Sequence, residues 1–362
     1  MKLLDRYILR AFAVNYLIAL SVMVGLYVVL DLFVNLDEFT QLQGGLPAML
    51  RGIASFYGWN LFLYFSQLSG VIVLVAACFT LGRFLRTNEL TAVLASGTSL
   101  FRVATPLLVA GVGLNGLWIL NQELVIPRIA DKLARRHDDI EGRRTFSVWF
   151  LRDRDNALVS ASMFNPRTRL LQGVMIVRRD QAGRMTELLR ADSARWDAER
   201  SVWHLSLPKS TRDLSAASAA AALRPEAPPE TEYASDLTPL ELQLRQASAW
   251  TSFLSVRDIQ RLQQRDAGNT ELIRAKHVRI ATPLVNILML LMGLPFFLNR
   301  ERPSVILAGG RCLLTCGICF VFTFFCQNAE ITGLSIHPAL PAWLPLLVFA
   351  PFMVVLVDST KT

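Results

Sequence analysis

The chain has 362 residues, 52% of them hydrophobic, a formal net charge of +8 and a mean hydropathy of +0.38. Those totals lie close to a soluble domain, commonly about 45–50% apolar, but the distribution does not: no charged residue falls within 11–30, 52–81, 103–122 or 280–299. The five cysteines, Cys78, Cys312, Cys316, Cys319 and Cys326, all lie in apolar runs, which excludes a disulfide framework in the polar part of the chain.

The first run, 11–30, follows Lys2, Arg6 and Arg10. It is longer than the apolar core of a cleaved leader and has no small-x-small site after it, so it is expected to stay as a first helix. About 20 apolar residues at 1.5 Å each cross a hydrocarbon core of roughly 30 Å. A lipid environment leaves only structures that satisfy their own backbone hydrogen bonds, and a helix does so. Residues 52–81 and 103–122 give the second and third spans. Gln67, Asn115 and Asn286 interrupt their runs and are expected to face neighbouring helices.

Between spans two and three lies Gly82-Arg83-Phe84-Leu85-Arg86-Thr87-Asn88-Glu89-Leu90-Thr91-Ala92-Val93-Leu94-Ala95-Ser96-Gly97-Thr98-Ser99. Thr87 or Asn88 is placed to cap a short helix over about 87–97, Glu89 suits its first turn, and Gly97 suits a left-handed end. Leu90, Val93 and Leu94 share one face. The stretch reads as an amphipathic helix that either lies on the membrane surface or docks into a groove of a soluble partner. Glu89, Leu90, Val93, Leu94 and Gly97 are the candidate docking residues.

After the third span the pattern changes. Residues 127–144 are highly charged and read as a helix leaving the bilayer. Short alternating or β-branched runs follow at 146–150, 157–163, 170–178, 185–196 and 202–207, separated by turn signals such as Asn165-Pro166 and Asp180-Gln181-Ala182-Gly183. This spacing predicts an antiparallel β-domain, a sandwich or jelly roll, within 123–279. Residues 215–229 form an Ala/Pro-rich loop. Residues 254–265 carry Val256, Ile259 and Leu262 at helical spacing.

Three further spans follow, at 280–299, 304–328 and 331–357, so that segments 1–122 and 280–362 each supply three helices. Arg311 is the one charge in the fifth run and is expected to snorkel towards headgroups. Cys312, Cys316 and Cys319 share a helix face, as small residues do where membrane helices approach closely. Lys2, Arg6, Arg10, Arg83, Arg86, Arg102, Arg300, Arg302 and Lys361 fall on one side of this arrangement, and only Arg51 falls in the opposite short loops. The basic side is cytoplasmic by the usual bias, which places both termini inside and 123–279 outside.

The chain has no GxxxxGK[ST], HExxH or GxSxG motif and no Cys/His spacing for zinc, so neither catalysis, a metal nor a cofactor of its own is expected. A nucleic-acid partner is not expected either.

Several stretches resemble the lipopolysaccharide-export permeases of the LptF/LptG type, more the LptG side. They are Leu4-Asp5-Arg6-Tyr7-Ile8, the loop from Asn88 to Gly97, Ala281-Thr282-Pro283-Leu284, and Trp196-Asp197 with Val202-Trp203-His204-Leu205. The layout of three spans, a β-domain and three spans matches over the whole chain. The resemblance implies an inner-membrane permease that pairs with a second permease chain over a cytoplasmic ABC ATPase dimer. ATP is hydrolysed by the ATPase, the loop helices pass on its motion, and lipid moves towards periplasmic β-jellyroll bridge proteins. One departure stands out: near the outer end of span one, where the family often carries a basic residue, this chain has Asp31, Asp37 and Glu38. The expected cargo is lipopolysaccharide or a similar glycolipid. Other readings of the layout are a non-transporting scaffold for envelope assembly and a permease of a different ABC system.

Overall fold

The computed structural model describes residues 3–40, 45–134, 145–180, 182–212, 230–246, 250–266, 268–298, 304–328 and 337–358. They fall into two compact units. One comprises Met1–Ile129, Thr251–Gln263 and Gly268–Thr362; the other comprises Ala130–Trp250 and Gln264–Ala267. The β unit is therefore smaller than the interval 123–279 read from the sequence. The Ala/Pro-rich segment 215–229 lies outside the described residues. So does most of the charged helix expected over 127–144, which is described only as short turns at Ile126–Arg128 and Ala130–Leu133.

Among the described residues, the helical unit contains six helices long and apolar enough to cross a membrane. They are α1 (Leu3–Val34), α2 (Gly45–Arg86), α4 (Leu100–Leu120), α5 (Thr270–Gly293), α6 (Val305–Asn328) and α7 (Leu340–Asp358). The short helix α3 (Glu89–Ala95) lies between α2 and α4 in the chain. With 42 residues, α2 extends about 63 Å, well beyond the hydrocarbon thickness, which accounts for a helix longer than the charge-free run 52–81.

The buried residues of α1, Ile8, Phe12, Tyr16, Ala19 and Val24, form one stripe at near-helical spacing, and the other faces of the helix are largely exposed. The centre of the unit is packed through small residues. A Cβ on Gly70 would meet Asn286 and Met289, and one on Gly293 would meet Leu74 and Cys312. Close backbone approach of this kind is how membrane helices gain contact area. Asn286 Nδ2 donates to Asn115 Oδ1 at 3.2 Å, joining α5 to α4. Gln67, by contrast, is exposed. Cys312, Cys316 and Cys319 are all buried on the packed face of α6, with Cys312 Sγ 3.3 Å from Cys78 Sγ.

Segment 251–256 belongs to this unit because its polar groups are spent there. Gln122 Nε2 donates to Ser252 O at 2.9 Å, and Val256 N donates to Glu123 Oε2 at 2.8 Å. Arg279 Nη2 lies within hydrogen-bond distance of the carbonyls of Thr251, Ser252 and Leu254. The helix read at 254–265 spans Val256–Arg265, with Ile259 and Leu262 buried as its spacing predicts.

The β unit is one open antiparallel sheet in the order β1-β2-β3-β4-β5-β7, with β6 also on β4. The strands are β1 (Phe146–Arg152), β2 (Leu158–Asn165), β3 (Leu170–Arg179), β4 (Met185–Asp197), β5 (Val202–Ser206), β6 (Lys209–Arg212) and β7 (Glu232–Ala234). Sequential neighbours pair as in a meander, where the sequence reading expected two sheets or a jelly roll. β5 and β6 are successive lengths along the same edge of β4. They part at Leu207, in a left-handed conformation (φ 49°), and at Pro208, which has no N–H for the ladder.

Strict alternation fails in three strands at once. Burial steps from Ala161 to Phe164, from Leu171 to Val174 and from Ala191 to Ala194, all in register. The line of change crosses β3 at Gly173, with φ of +60°, where a Cβ would run into the Ser162 hydroxyl. Only glycine accepts that backbone and that neighbour without strain. The core behind the sheet includes Val148, Phe164, Ile176, Leu189, Trp203 and Leu205.

Candidate functional site

The structure brings the loop helix α3 against the start of α1. Residues 87–99 leave α2 by a tight turn at Asn88, whose φ of 58° is left-handed. The expected N-cap is not formed: Asn88 makes no side-chain cap bond. Asparagine tolerates this backbone conformation, so Asn88 contributes a turn in place of a cap. The Thr87 hydroxyl lies 2.9 Å from both Arg83 O and Glu89 Oε1, tying the turn to the end of α2. At the other end Gly97 has φ of 82° and donates its N–H to Leu94 O at 3.0 Å, the left-handed close that its position predicts.

The three apolar residues of α3 are not equivalent. Leu90 is buried, only 2% exposed, and forms part of the chain's own packing. Val93 and Leu94 are half-buried. Glu89 is also partly covered: its Oε2 accepts from the Tyr7 hydroxyl at 2.8 Å. Beside α3 lies a groove of about 560 Å³ lined by Leu4, Val93, Ser96, Thr98, Ser99 and Arg102. Arg102 Nη2 donates to Asp5 Oδ2 at 2.8 Å, which fixes the first turn of α4 to the first turn of α1. The sequence reading used Asp5 and Tyr7 only within the stretch that carries the family resemblance and Arg102 only as a charge on the basic side; their pairings were not legible, because the partners lie 82 and 97 residues away.

Arg311 is exposed in the second turn of α6, between the exposed Leu307 and Leu314. Among the described residues, no group of three or more His, Cys, Asp or Glu side chains is arranged to hold a metal.

The β unit carries its own buried polar centre. Asp153 Oδ2 accepts from the Tyr233 hydroxyl at 3.0 Å and from Ser235 Oγ at 2.5 Å, and its Oδ1 accepts from Asp236 N at 2.9 Å. Burial, and then the Asp153 carboxylate, push the Tyr233 hydroxyl above its ordinary value. In the 180–184 turn the backbone N–H of Arg184 holds Asp180 below the usual carboxylate range. Arg178 is held above its usual value, first by Glu230 and, against some loss of hydration, by Glu187.

Among the described residues, six helices long and apolar enough to cross a membrane, a sheet unit inserted after the third, and a short helix between the second and third define a multi-pass helical membrane architecture with an inserted β-domain. The family model for the lipopolysaccharide export system permease LptF/LptG matches residues 6–358, and the chain belongs to that family. No curated protein sequence matches the chain.

Proposed function

We propose that the chain is the membrane-spanning subunit of an ATP-driven exporter that draws lipopolysaccharide or a similar glycolipid out of the inner membrane. It works beside a second permease chain and above a cytoplasmic ABC ATPase dimer, which hydrolyses the ATP, and it hands the lipid towards periplasmic β-jellyroll bridge proteins. Both termini lie in the cytoplasm and the β unit lies outside it. The observation that carries this reading is α3, a short helix fastened at both ends that keeps Val93 and Leu94 half-uncovered beside an open groove. Leu90 anchors α3 to its own chain, so the docking surface consists of Val93, Leu94, the carboxylate of Glu89 and the groove next to them, with Gly97 shaping the turn. Covering apolar atoms gains roughly 25 cal/mol per Å², and Glu89 orients a basic partner side chain.

The test is co-purification. Leu94→Arg places an unpaired charge in the partner's groove. The ATPase should be lost while the permease still inserts and its β unit still resists protease. An ATPase retained at unchanged affinity in both Leu94→Arg and Glu89→Arg would remove the docking assignment and leave α3 as a surface-lying helix.

A further inference from the structure

The first two turns of α1 are fastened to the α3 loop at both of its ends. At the near end the Tyr7 hydroxyl donates to Glu89 Oε2 at 2.8 Å, and the Tyr7 ring stacks on Phe84 with centroids 5.7 Å apart and planes 15° from parallel. Phe84 lies in the last turn of α2 and Glu89 opens α3. At the far end Asp5 holds Arg102, in the first turn of α4. Ile8, 1% exposed, seats the same stretch of α1 in the bundle.

The two kinds of contact transmit force differently. A ring stack is weakly directional and lets the partners slide. A hydrogen bond to a carboxylate is short, directional and about twice as strong as a neutral one. Glu89 is suited to this because Thr87 lies against Oε1 and leaves Oε2 for Tyr7. Beyond this point α1 continues to Val34 as one helix without a proline. Where the Asp5–Arg102 pair joins α1 to α4, the Tyr7–Glu89 bond joins α1 directly to the first residue of α3, so a displacement of α3 is passed to α1 through it. The remainder of α1 is joined to α2 by its buried stripe, by the Asn15 Nδ2–Thr80 Oγ1 hydrogen bond of 2.9 Å and, near its far end, by the Tyr57 hydroxyl donating to Asp31 Oδ2 at 2.9 Å.

Resting on the docking reading above, we infer that Tyr7 is a positioning residue for transport: its hydroxyl makes the first span follow α3, so that movement of a seated ATPase tilts α1. Tyr7 touches neither ATP nor lipid in this role. The Tyr7→Phe variant keeps the ring on Phe84 and deletes only the hydroxyl.

The test uses the complete permease–ATPase complex in proteoliposomes containing rough lipopolysaccharide, with a periplasmic acceptor protein present. In Tyr7→Phe the ATPase should bind with unchanged affinity and hydrolyse ATP, while lipopolysaccharide transferred per ATP falls by about tenfold or more, the worth of one such charge-assisted bond. Unchanged transfer per ATP overturns the inference. Loss of ATPase affinity in Tyr7→Phe overturns it too, because the hydroxyl would then only shape the docking surface. The docking reading stands or falls separately: an ATPase retained by Leu94→Arg defeats that reading whatever Tyr7→Phe does to transfer.

Discussion

Tyr233 and Asp153, 80 residues apart, meet in the interior of the β unit, where the phenol donates to the carboxylate at 3.0 Å. The pair joins β7, the last strand of the sheet, to the residue that follows β1, the first. Asp153 is 5% exposed and its two oxygens take three donors, so the carboxylate exchanges water for a complete set of protein hydrogen bonds.

This pair makes the β unit sensitive to alkali. The folded unit raises the Tyr233 hydroxyl above its ordinary value of 10.0, so the unfolded chain gives up that proton first. The stabilisation is fully present below pH 10 and is lost as pH rises above it. Hydrogen exchange of the sheet amides, followed between roughly pH 9 and 11, should show stability falling more steeply in the native protein than in Tyr233→Phe. At neutral pH the variant should be weaker by about 1–2 kcal/mol, because one buried acceptor loses its donor. Equal alkaline slopes would show that Tyr233 does not carry the effect.

Leu90 and Leu94 should separate by phenotype. Leu90→Ala empties a packed site and should loosen α3 by about 2–4 kcal/mol, read as faster proteolysis within 87–99. Leu94→Ala removes a half-exposed side chain and should leave that proteolysis rate nearly unchanged while weakening ATPase capture. The same proteolysis rate for both variants would contradict the unequal burial of the two leucines.

Gly70→Ala should push α2 away from α5. The new methyl group would meet Met289 Cε at 2.8 Å and displace Asn286, whose bond to Asn115 would then stretch. The expected loss is about 1–3 kcal/mol, seen as a lower melting temperature in detergent. Gly113→Ala is the control: a Cβ there meets nothing within 4 Å, and alanine is the better helix former. A Gly70→Ala melting point at or above that of Gly113→Ala would rule out the close approach.

Orientation is open to maleimide labelling of intact cells. A cysteine at Arg167, exposed in the β2–β3 turn, should react with an impermeant maleimide added from outside. Asn165 is the poorer choice, because its Oδ1 accepts the N–H groups of Arg167 and Thr168 and holds the turn. Reaction only after the cytoplasmic face is opened would invert the topology.

Much of this architecture was legible because lipid and sheet impose simple rules. The charge-free runs mark spans since a charge there is costly, and β1 to β5 fall on the five alternating runs between turn signals. β6 and β7 were not legible. Lys-Ser-Thr-Arg at 209–212 and the three residues at 232–234 have no apolar period, and they become strands only because β4 and β5 offer edges to pair with. The parity change at Gly173 was hidden for the same reason, since it depends on Ser162 across the ladder. Within α3 the sequence marks Leu90, Val93 and Leu94 alike as one apolar face. Which of them turns inward is decided by the packing of neighbouring helices. The Tyr7–Glu89 link spans 82 residues and has no local signature at all.

The single stripe on α1 divides that helix into two kinds of position with different tolerance to substitution. At Ile8, Phe12, Tyr16 and Ala19 the side chain meets fixed neighbours, so volume and shape are constrained. At Val14, Leu17, Ile18 and Val22, each more than half exposed, no neighbour in the chain constrains size, and only the cost of a polar group in hydrocarbon remains. A saturation scan of α1 should therefore alternate, every three or four residues, between sites that reject a changed size and sites that reject only a charge.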